Sequence, residues 1–111
     1  MAVFNKKQGE SLAVNYGLKV NGVEQSLASG WVCKLQVKLK SGGVDGAVKA
    51  IEKTITTQNT GNTRYVVSIT PAEMAALAND DYYMIVELSN AAQGINKEFH
   101  DKLVVSKQGI S

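Results

Sequence analysis

The residue types that most often perform catalysis are few in this chain and lie far apart. The single histidine, His100, stands beside Asp101, but neighbouring residues of a strand point to opposite faces of a sheet, so the two do not form a dyad. The single cysteine, Cys33, falls among apolar residues on an expected core face, where a thiol behaves as a small hydrophobe. Asp80 and Asp81 are typical of a turn. We therefore predict a protein that is not an enzyme, with no catalytic residues, no metal ligands and no cofactor.

The composition sets further bounds. With 111 residues, 44% hydrophobic and 20% charged, the chain is expected to form one globular domain. Its 12 basic and 10 acidic residues leave a net charge of +2, too small to indicate nucleic acid or an anionic membrane as a partner. One cysteine permits no intramolecular disulfide, and the first ten residues lack the apolar stretch of a signal peptide. These features predict a soluble protein made in a cytosol.

One short segment carries the signature of a helix start. Thr70 suits the N-cap, Pro71 suits the first helical position, and Glu73 completes a Thr-x-x-Glu capping box. Residues 79–81 are Asn-Asp-Asp, which favours a turn and so ends the helix. The sequence predicts a single short capped helical turn near residues 71–77.

Most of the remaining chain alternates between apolar and polar residues, the period of half-buried strands. The clearest case is residues 31–40, and Asn21 with Gly22 is a strong signal for a hairpin turn. About seven strands at intervals near ten residues predict an all-β fold, a two-sheet antiparallel β-sandwich that is immunoglobulin-like in its layers; a small closed barrel is the alternative. The domain should span residues 12–106, between an N-terminal arm (1–11) and a C-terminal tail (107–111).

The same alternation predicts which residues fill the core. The expected set is Leu12, Val14, Trp31, Cys33, Leu35, Val37, Val67, Ile69, Leu77, Met84, Val86 and Leu103.

Two groups of residues are candidates for binding a partner. The arm is polar but contains apolar anchors, and the strand over residues 31–40 places lysines on its polar face. Together the candidates are Val3, Phe4, Lys6, Lys7, Lys34, Lys38 and Lys40. The alternative for Phe4 is local packing, and the alternative for the lysine row is a solvated face that guards against edge pairing. If the arm is the anchor, its removal should leave the fold intact and weaken attachment to a partner.

The order of these signals resembles the small β-sandwich virion proteins of tailed bacteriophages, as in the N-terminal domains of phage baseplate upper proteins. The matching segments are Asn21-Gly22, Leu27-Ala28-Ser29-Gly30-Trp31, Leu35-Gln36-Val37, Val67-Ser68-Ile69-Thr70-Pro71-Ala72-Glu73 with Leu77, Tyr82-Tyr83-Met84-Ile85-Val86, and Leu103-Val104-Val105. The resemblance spans residues 12–106 and departs where the family often has glycine before the tyrosine strand; Asp80 and Asp81 stand there instead.

The resemblance implies a non-enzymatic structural accessory protein, a capsid decoration protein or a tail or neck adaptor. Such a protein is made in the cytoplasm of the host bacterium and resides in the virion. Its expected partners are other virion proteins, and it should be a homo-oligomer or be repeated on a lattice; neither nucleic acid nor a membrane is an expected partner. One alternative is a module that binds carbohydrate or a host surface, for which Tyr83 or Trp31 would form an aromatic platform. Another is a small regulator of a host protein.

Overall fold

A computed structural model describes residues 2–43 and 49–107, and over these residues the fold is the predicted all-β sandwich. The described residues form nine strands and one α-helix. In chain order these are β1 (Val3–Lys7), β2 (Leu12–Gly17), β3 (Lys19–Val20), β4 (Val23–Glu24), β5 (Val32–Leu39), β6 (Ile51–Ile55), β7 (Arg64–Ile69), α1 (Pro71–Ala76), β8 (Asp80–Asn90) and β9 (Ile95–Ser106).

The layers are unequal in width. Five strands form one sheet in the order β1-β9-β8-β5-β6, whereas the opposing layer has only the β2-β7 pair and the small β3-β4 hairpin. All strand pairs are antiparallel except β1 with β9, which are parallel. Because two strands cannot cover the whole inner face of five, one side of the larger sheet is left open.

The N-terminal segment differs from the predicted arm, since β1 belongs to the larger sheet. The Lys102 N–H donates to the Ala2 carbonyl at 2.9 Å, and the Gln8 N–H donates to the Ser106 carbonyl at 3.0 Å. Phe4 faces inward and packs against the core. The polar composition of the segment does not oppose this arrangement, because strand pairing uses backbone groups and an edge strand tolerates charged side chains.

The core follows the predicted alternation. Every residue of the predicted set is buried except Val14 and Trp31, which are half-buried and pack against the core from its margins. Several buried residues lie outside that set, namely Tyr16, Leu27, Ile55, Tyr65, Met74, Tyr82, Leu88 and Val105. Leu27 is the least predictable because it lies in a loop: its N–H donates to the Asn62 carbonyl and its carbonyl accepts from the Gln58 side chain.

The predicted helix cap and hairpin turn are confirmed, but Asp80 and Asp81, which were predicted in a turn, are the first two residues of β8 and pair with Val105 and Val104 of β9. The Glu73 N–H donates to Thr70 Oγ1 at 3.1 Å and the Thr70 N–H donates to Glu73 Oε1 at 2.9 Å, so the capping box is complete. Lys53 on β6 donates to the same Glu73 oxygen at 2.9 Å and ties α1 to the larger sheet. Asn21 and Gly22 both have positive φ, 52° and 78°, as a two-residue hairpin turn requires.

Some predictions fall on positions outside the described residues. The glycine-rich residues 41–46 predict a turn, and residues 48–57 predict a further strand. Both predictions fall in part on residues 44–48, and the predicted tail continues beyond Lys107, so these parts lie outside the described residues. From residue 51 that predicted strand is β6.

Candidate functional site

A groove of about 760 Å³ opens along the side of the larger sheet that the smaller layer leaves uncovered. One wall is the first half of β9, which contributes Ile95, Asn96, Lys97 and Phe99, and the other is the run of residues 15–20 in β2 and β3. The groove is therefore a consequence of the two-strand layer being too narrow to close the sandwich.

Aromatic rings form the floor of this groove. The rings of Tyr16 and Phe99 have centroids 5.2 Å apart and are tilted by 53°, a favourable geometry for an aromatic pair. The Tyr16 phenol donates to Asp101 Oδ2 at 2.5 Å, and Asp101 Oδ1 accepts from the Ala2 N–H at 3.0 Å. Burial raises the pKa of Tyr16 far above its usual range, and the Asp101 carboxylate adds to the effect. The phenol is thus a protonated, fixed part of the floor.

The rim of the groove carries an excess of positive charge. Arg64 is neutralised by Glu24, to which its Nη2 and Nε donate at 2.7 and 3.1 Å. Lys19 and Lys97 have no carboxylate partner among the described residues, and the Lys97 ammonium lies 6.0 Å from the centroid of the Phe99 ring. The groove can therefore favour an anionic group near these two lysines.

The outer edge of β9 is free along the same stretch. Strand β1 covers this edge only from Lys102 onward. Alternate residues of a strand direct their N–H groups to opposite sides, and the Lys102 N–H points to β1. The N–H and carbonyl groups of Asn96, Glu98 and His100 therefore point to this same edge, where no strand of the described chain pairs with them. An aromatic-floored groove thus borders a row of free backbone hydrogen-bonding groups.

The candidate residues of the N-terminal segment have different environments. Val3 is 52% exposed and lies opposite Lys102 in the register, on the outer face of the sheet. Phe4 packs against the protein's own core, which agrees with the alternative interpretation of this residue as local packing. Lys6 is half-buried. Lys7 is exposed. Only Val3 and Lys7 are presented openly to solvent.

The lysine row on β5 is not a uniform basic surface. Lys34 and Lys40 are exposed, but Lys38 is only 8% exposed, because a lysine stem can lie along a sheet face beside neighbouring side chains. Carboxylates share the face: Glu87 stands opposite Lys34, and Glu52 accepts from Gln36 at 3.1 Å.

The two predicted groups do not form one site. Strands β9 and β8 separate β1 from β5, which places the groups roughly 14 Å apart at about 4.8 Å per strand. The groove was not predicted, because it depends on contacts between residues about 80 positions apart in the chain. Its only local signals are Tyr16 and Phe99, and alternation alone marks both simply as inward residues.

The side chains capable of chemistry are dispersed. Cys33 is fully buried on the inner face of β5, and burial raises the pKa of its thiol from 9.0 to about 12. His100 is exposed on the outer face with its Nε2 2.8 Å from Glu98 Oε1, whereas Asp101 points inward, on the opposite side as predicted. Among the described residues no three histidine, cysteine or acidic side chains are grouped so that they could hold a metal ion.

The described part of the chain has no helix long and apolar enough to cross a membrane.

Comparisons with known proteins bear on the fold. No protein-family model and no curated protein sequence matches the chain. Among solved structures, it is similar to the crystal structure of a metagenome-derived glycoside hydrolase family 9 endoglucanase, with a TM-score of 0.54 and 15% sequence identity. The match covers 93% of this chain but only 17% of the endoglucanase chain. At this identity the likeness concerns the fold alone.

Proposed function

We propose that this protein is a non-enzymatic structural accessory protein of a tailed-phage virion, a capsid decoration protein or a tail or neck adaptor, which acts through protein–protein contacts. The observation that carries the proposal is the groove beside the free outer edge of β9. The assignment to a virion rests on the sequence resemblance over residues 12–106.

The free edge supports a role in protein binding for a physical reason. An unpaired strand edge is a template for another chain, and proteins with exposed edges usually cover or twist them. Among the described residues no strand pairs with this edge over half of β9, and the edge lies next to a groove that can receive side chains. Main-chain hydrogen bonds along an edge, together with a groove for alternate side chains, are the features of recognition by strand addition.

Repetition in an assembly would suit such a contact. A single short strand added to an edge makes few hydrogen bonds, each contributing about 1 kcal/mol. Many copies on a symmetric shell or tube gain effective concentration, which offsets the weakness of each contact. We accordingly propose that the protein is a homo-oligomer or is repeated on a lattice, with other virion proteins as partners.

The experiment tests whether the protein co-purifies with phage particles. Phage particles from the strain that carries the gene are banded in a density gradient, and the fractions are probed with an antibody against the recombinant protein and by quantitative mass spectrometry. A non-structural phage protein provides the control. Co-migration in many copies per particle is the expected result. Recovery of the protein only in the particle-free fractions would overturn the proposal.

Binding of carbohydrate is a second candidate, favoured by the makeup of the groove. Sugars stack on aromatic faces, and the Phe99 ring lines the groove beside Tyr16. The platform expected at Tyr83 or Trp31 is a poorer candidate, because these residues lie on opposite faces of the larger sheet and both are half-buried. A glycan array tests this function; a specific glycan whose binding is lost in Phe99→Ala would favour it.

A further inference from the structure

We infer that the groove binds an extended, acidic segment of a partner protein, which adds as a strand to the free edge of β9. This inference rests on that part of the proposed function which assigns the protein a role in protein–protein contacts. It does not depend on whether the partner belongs to a virion.

The backbone of β9 sets the mode of binding. Asn96, Glu98 and His100 present three N–H and three carbonyl groups along the free edge. At about 3.3 Å per residue, the free stretch from residue 95 to residue 101 spans about 20 Å, enough for a segment of six or seven residues. Strand β1 shows that this edge accepts a strand, because it pairs with the second half of β9. The incoming segment would lie in line with β1 and end where β1 begins.

The groove then determines the side chains of the segment. Alternate residues of an added strand point inward, as Ile95, Lys97 and Phe99 do on β9. These positions meet Tyr16 and Phe99 on the groove floor, which favours apolar residues. The volume of about 760 Å³ lies within the range of ligand-binding sites and leaves room for several side chains.

The charge of the groove indicates that the bound segment belongs to a different protein and not to a second copy of this chain. Lys19 and Lys97 line the groove without a carboxylate partner in the described structure, so acidic residues in the segment would complete ion pairs at the rim. Of the chain's own edge strands in the larger sheet, β1 carries Lys6 and Lys7, whose basic charge would be repelled by the same two lysines. The other, β6, carries one acidic and one basic residue, Glu52 and Lys53, and so has no net charge to offer them. A distinct, acidic segment is therefore the occupant that fits.

The experiment uses the full chain and fluorescein-labelled eight-residue peptides, measured by fluorescence anisotropy. Because Lys97 points into the groove on the same face as Phe99, one face of each peptide has valine at its two central positions and aspartate, lysine or serine at its two end positions, and the other face is serine throughout. The key variant is Glu98→Pro, which removes the outward N–H at the centre of the free edge; proline is tolerated where an edge N–H faces solvent. The matched control is Glu98→Ala, which keeps the N–H. We expect the valine–aspartate peptide to bind best, and Glu98→Pro to weaken it about tenfold or more relative to Glu98→Ala, the effect of one or two hydrogen bonds.

A second variant tests the charges independently of the backbone. Lys19→Glu with Lys97→Glu should abolish the preference for the valine–aspartate peptide over the valine–lysine peptide, and salt should weaken the preference in the parent. This variant also tests the inference if Glu98→Pro does not fold.

Several results would overturn the inference. The first is that the valine–aspartate peptide does not bind at concentrations up to about 1 mM. The second is that the valine–aspartate and valine–lysine peptides bind equally well. The third is that the Glu98→Pro and Glu98→Ala variants bind the valine–aspartate peptide equally well. Self-association in the ultracentrifuge that Glu98→Pro abolishes would also overturn it, because the occupant would then be a second copy. Particle association without peptide binding would defeat this inference alone, whereas peptide binding without particle association would defeat only the virion assignment.

Discussion

The Tyr16 phenol donates a hydrogen bond to Asp101 Oδ2 at 2.5 Å and thereby joins the narrow sheet of the sandwich to the wide one. The other carboxylate oxygen of Asp101 accepts from the Ala2 N–H, so the same side chain also anchors the start of β1. Three segments that are distant in the chain meet at one carboxylate. This junction lies beneath the groove and holds its floor in place.

Replacement of Tyr16 by phenylalanine should lower the free energy of unfolding. The ring and its contact with Phe99 remain, but Asp101 loses a donor; a hydrogen bond to a charged group contributes about 1.5–3 kcal/mol. Urea unfolding at neutral pH gives the measurement. Tyr83→Phe is the matched control, expected to change stability by less than about 0.5 kcal/mol because Tyr83 is a half-buried residue of the outer face. Equal effects of the two substitutions would contradict this role of Tyr16.

The protein should lose stability above pH 9 to 10. The folded state raises the pKa of the Cys33 thiol from 9.0 to about 12 and raises the pKa of Tyr16 above its usual 10.0, in both cases chiefly by burial. Because the protonated forms are favoured in the folded state, their contribution is complete below the unfolded-state pKa and falls as pH rises, by up to about 1.4 kcal/mol per pH unit for each proton. Unfolding free energies measured from pH 7 to 11 test this, and Tyr16→Phe should flatten the decline above pH 10. An unchanged pH profile in that variant would argue against the assignment.

The Cys33 thiol should be inaccessible in the native protein. It is fully buried on the inner face of β5, and only its thiolate form is strongly nucleophilic. Reaction with a disulfide reagent such as dithionitrobenzoate should be slow at neutral pH and should become rapid over the same urea range in which circular dichroism reports unfolding. Stoichiometric labelling within seconds under native conditions would mean that the inward face of β5 is assigned incorrectly.

Loss of the capping hydroxyl should weaken α1 locally. Thr70→Ala removes the acceptor for the Glu73 N–H and should cost on the order of 1 kcal/mol without changing the fold. Thr70→Ser retains an acceptor and should remain within about 0.5 kcal/mol of the parent. Both are compared by denaturation midpoint. If alanine and serine behaved alike, the capping box would not contribute to stability.

Two adjacent residues of β1 should respond differently to truncation. Phe4 packs against the core, so Phe4→Ala should cost about 2 kcal/mol, less than the 3–5 kcal/mol of a fully buried ring. Val3 is 52% exposed, and Val3→Ala should cost less than about 0.5 kcal/mol. Thermal unfolding of the pair measures the difference. If both substitutions lowered the free energy of unfolding by equally small amounts, β1 would contribute little to stability. Residues 1–11 would then behave as the arm that the sequence predicted.

The amino-acid sequence by itself determined the local features of this protein. Period-two alternation placed Cys33, Leu35 and Val37 on one buried face, since each residue's direction follows from that of its neighbours. The capping box at Thr70 and the hairpin turn at Asn21 were also predictable, because each involves hydrogen bonds or dihedral angles within a few residues.

The tertiary structure alone decided which edges are covered and which stay open. The pairing of β1 with β9 joins residues about 100 positions apart, and the inward residues of β1 contain only one aromatic to signal it. The groove arises because two strands oppose five, and the burial of Leu27 and Lys38 depends on neighbours distant in the chain. Strand pairing, groove formation and the burial of these residues depend on which backbone groups and surfaces remain unpaired after the other strands have assembled. A local sequence pattern therefore does not predict them.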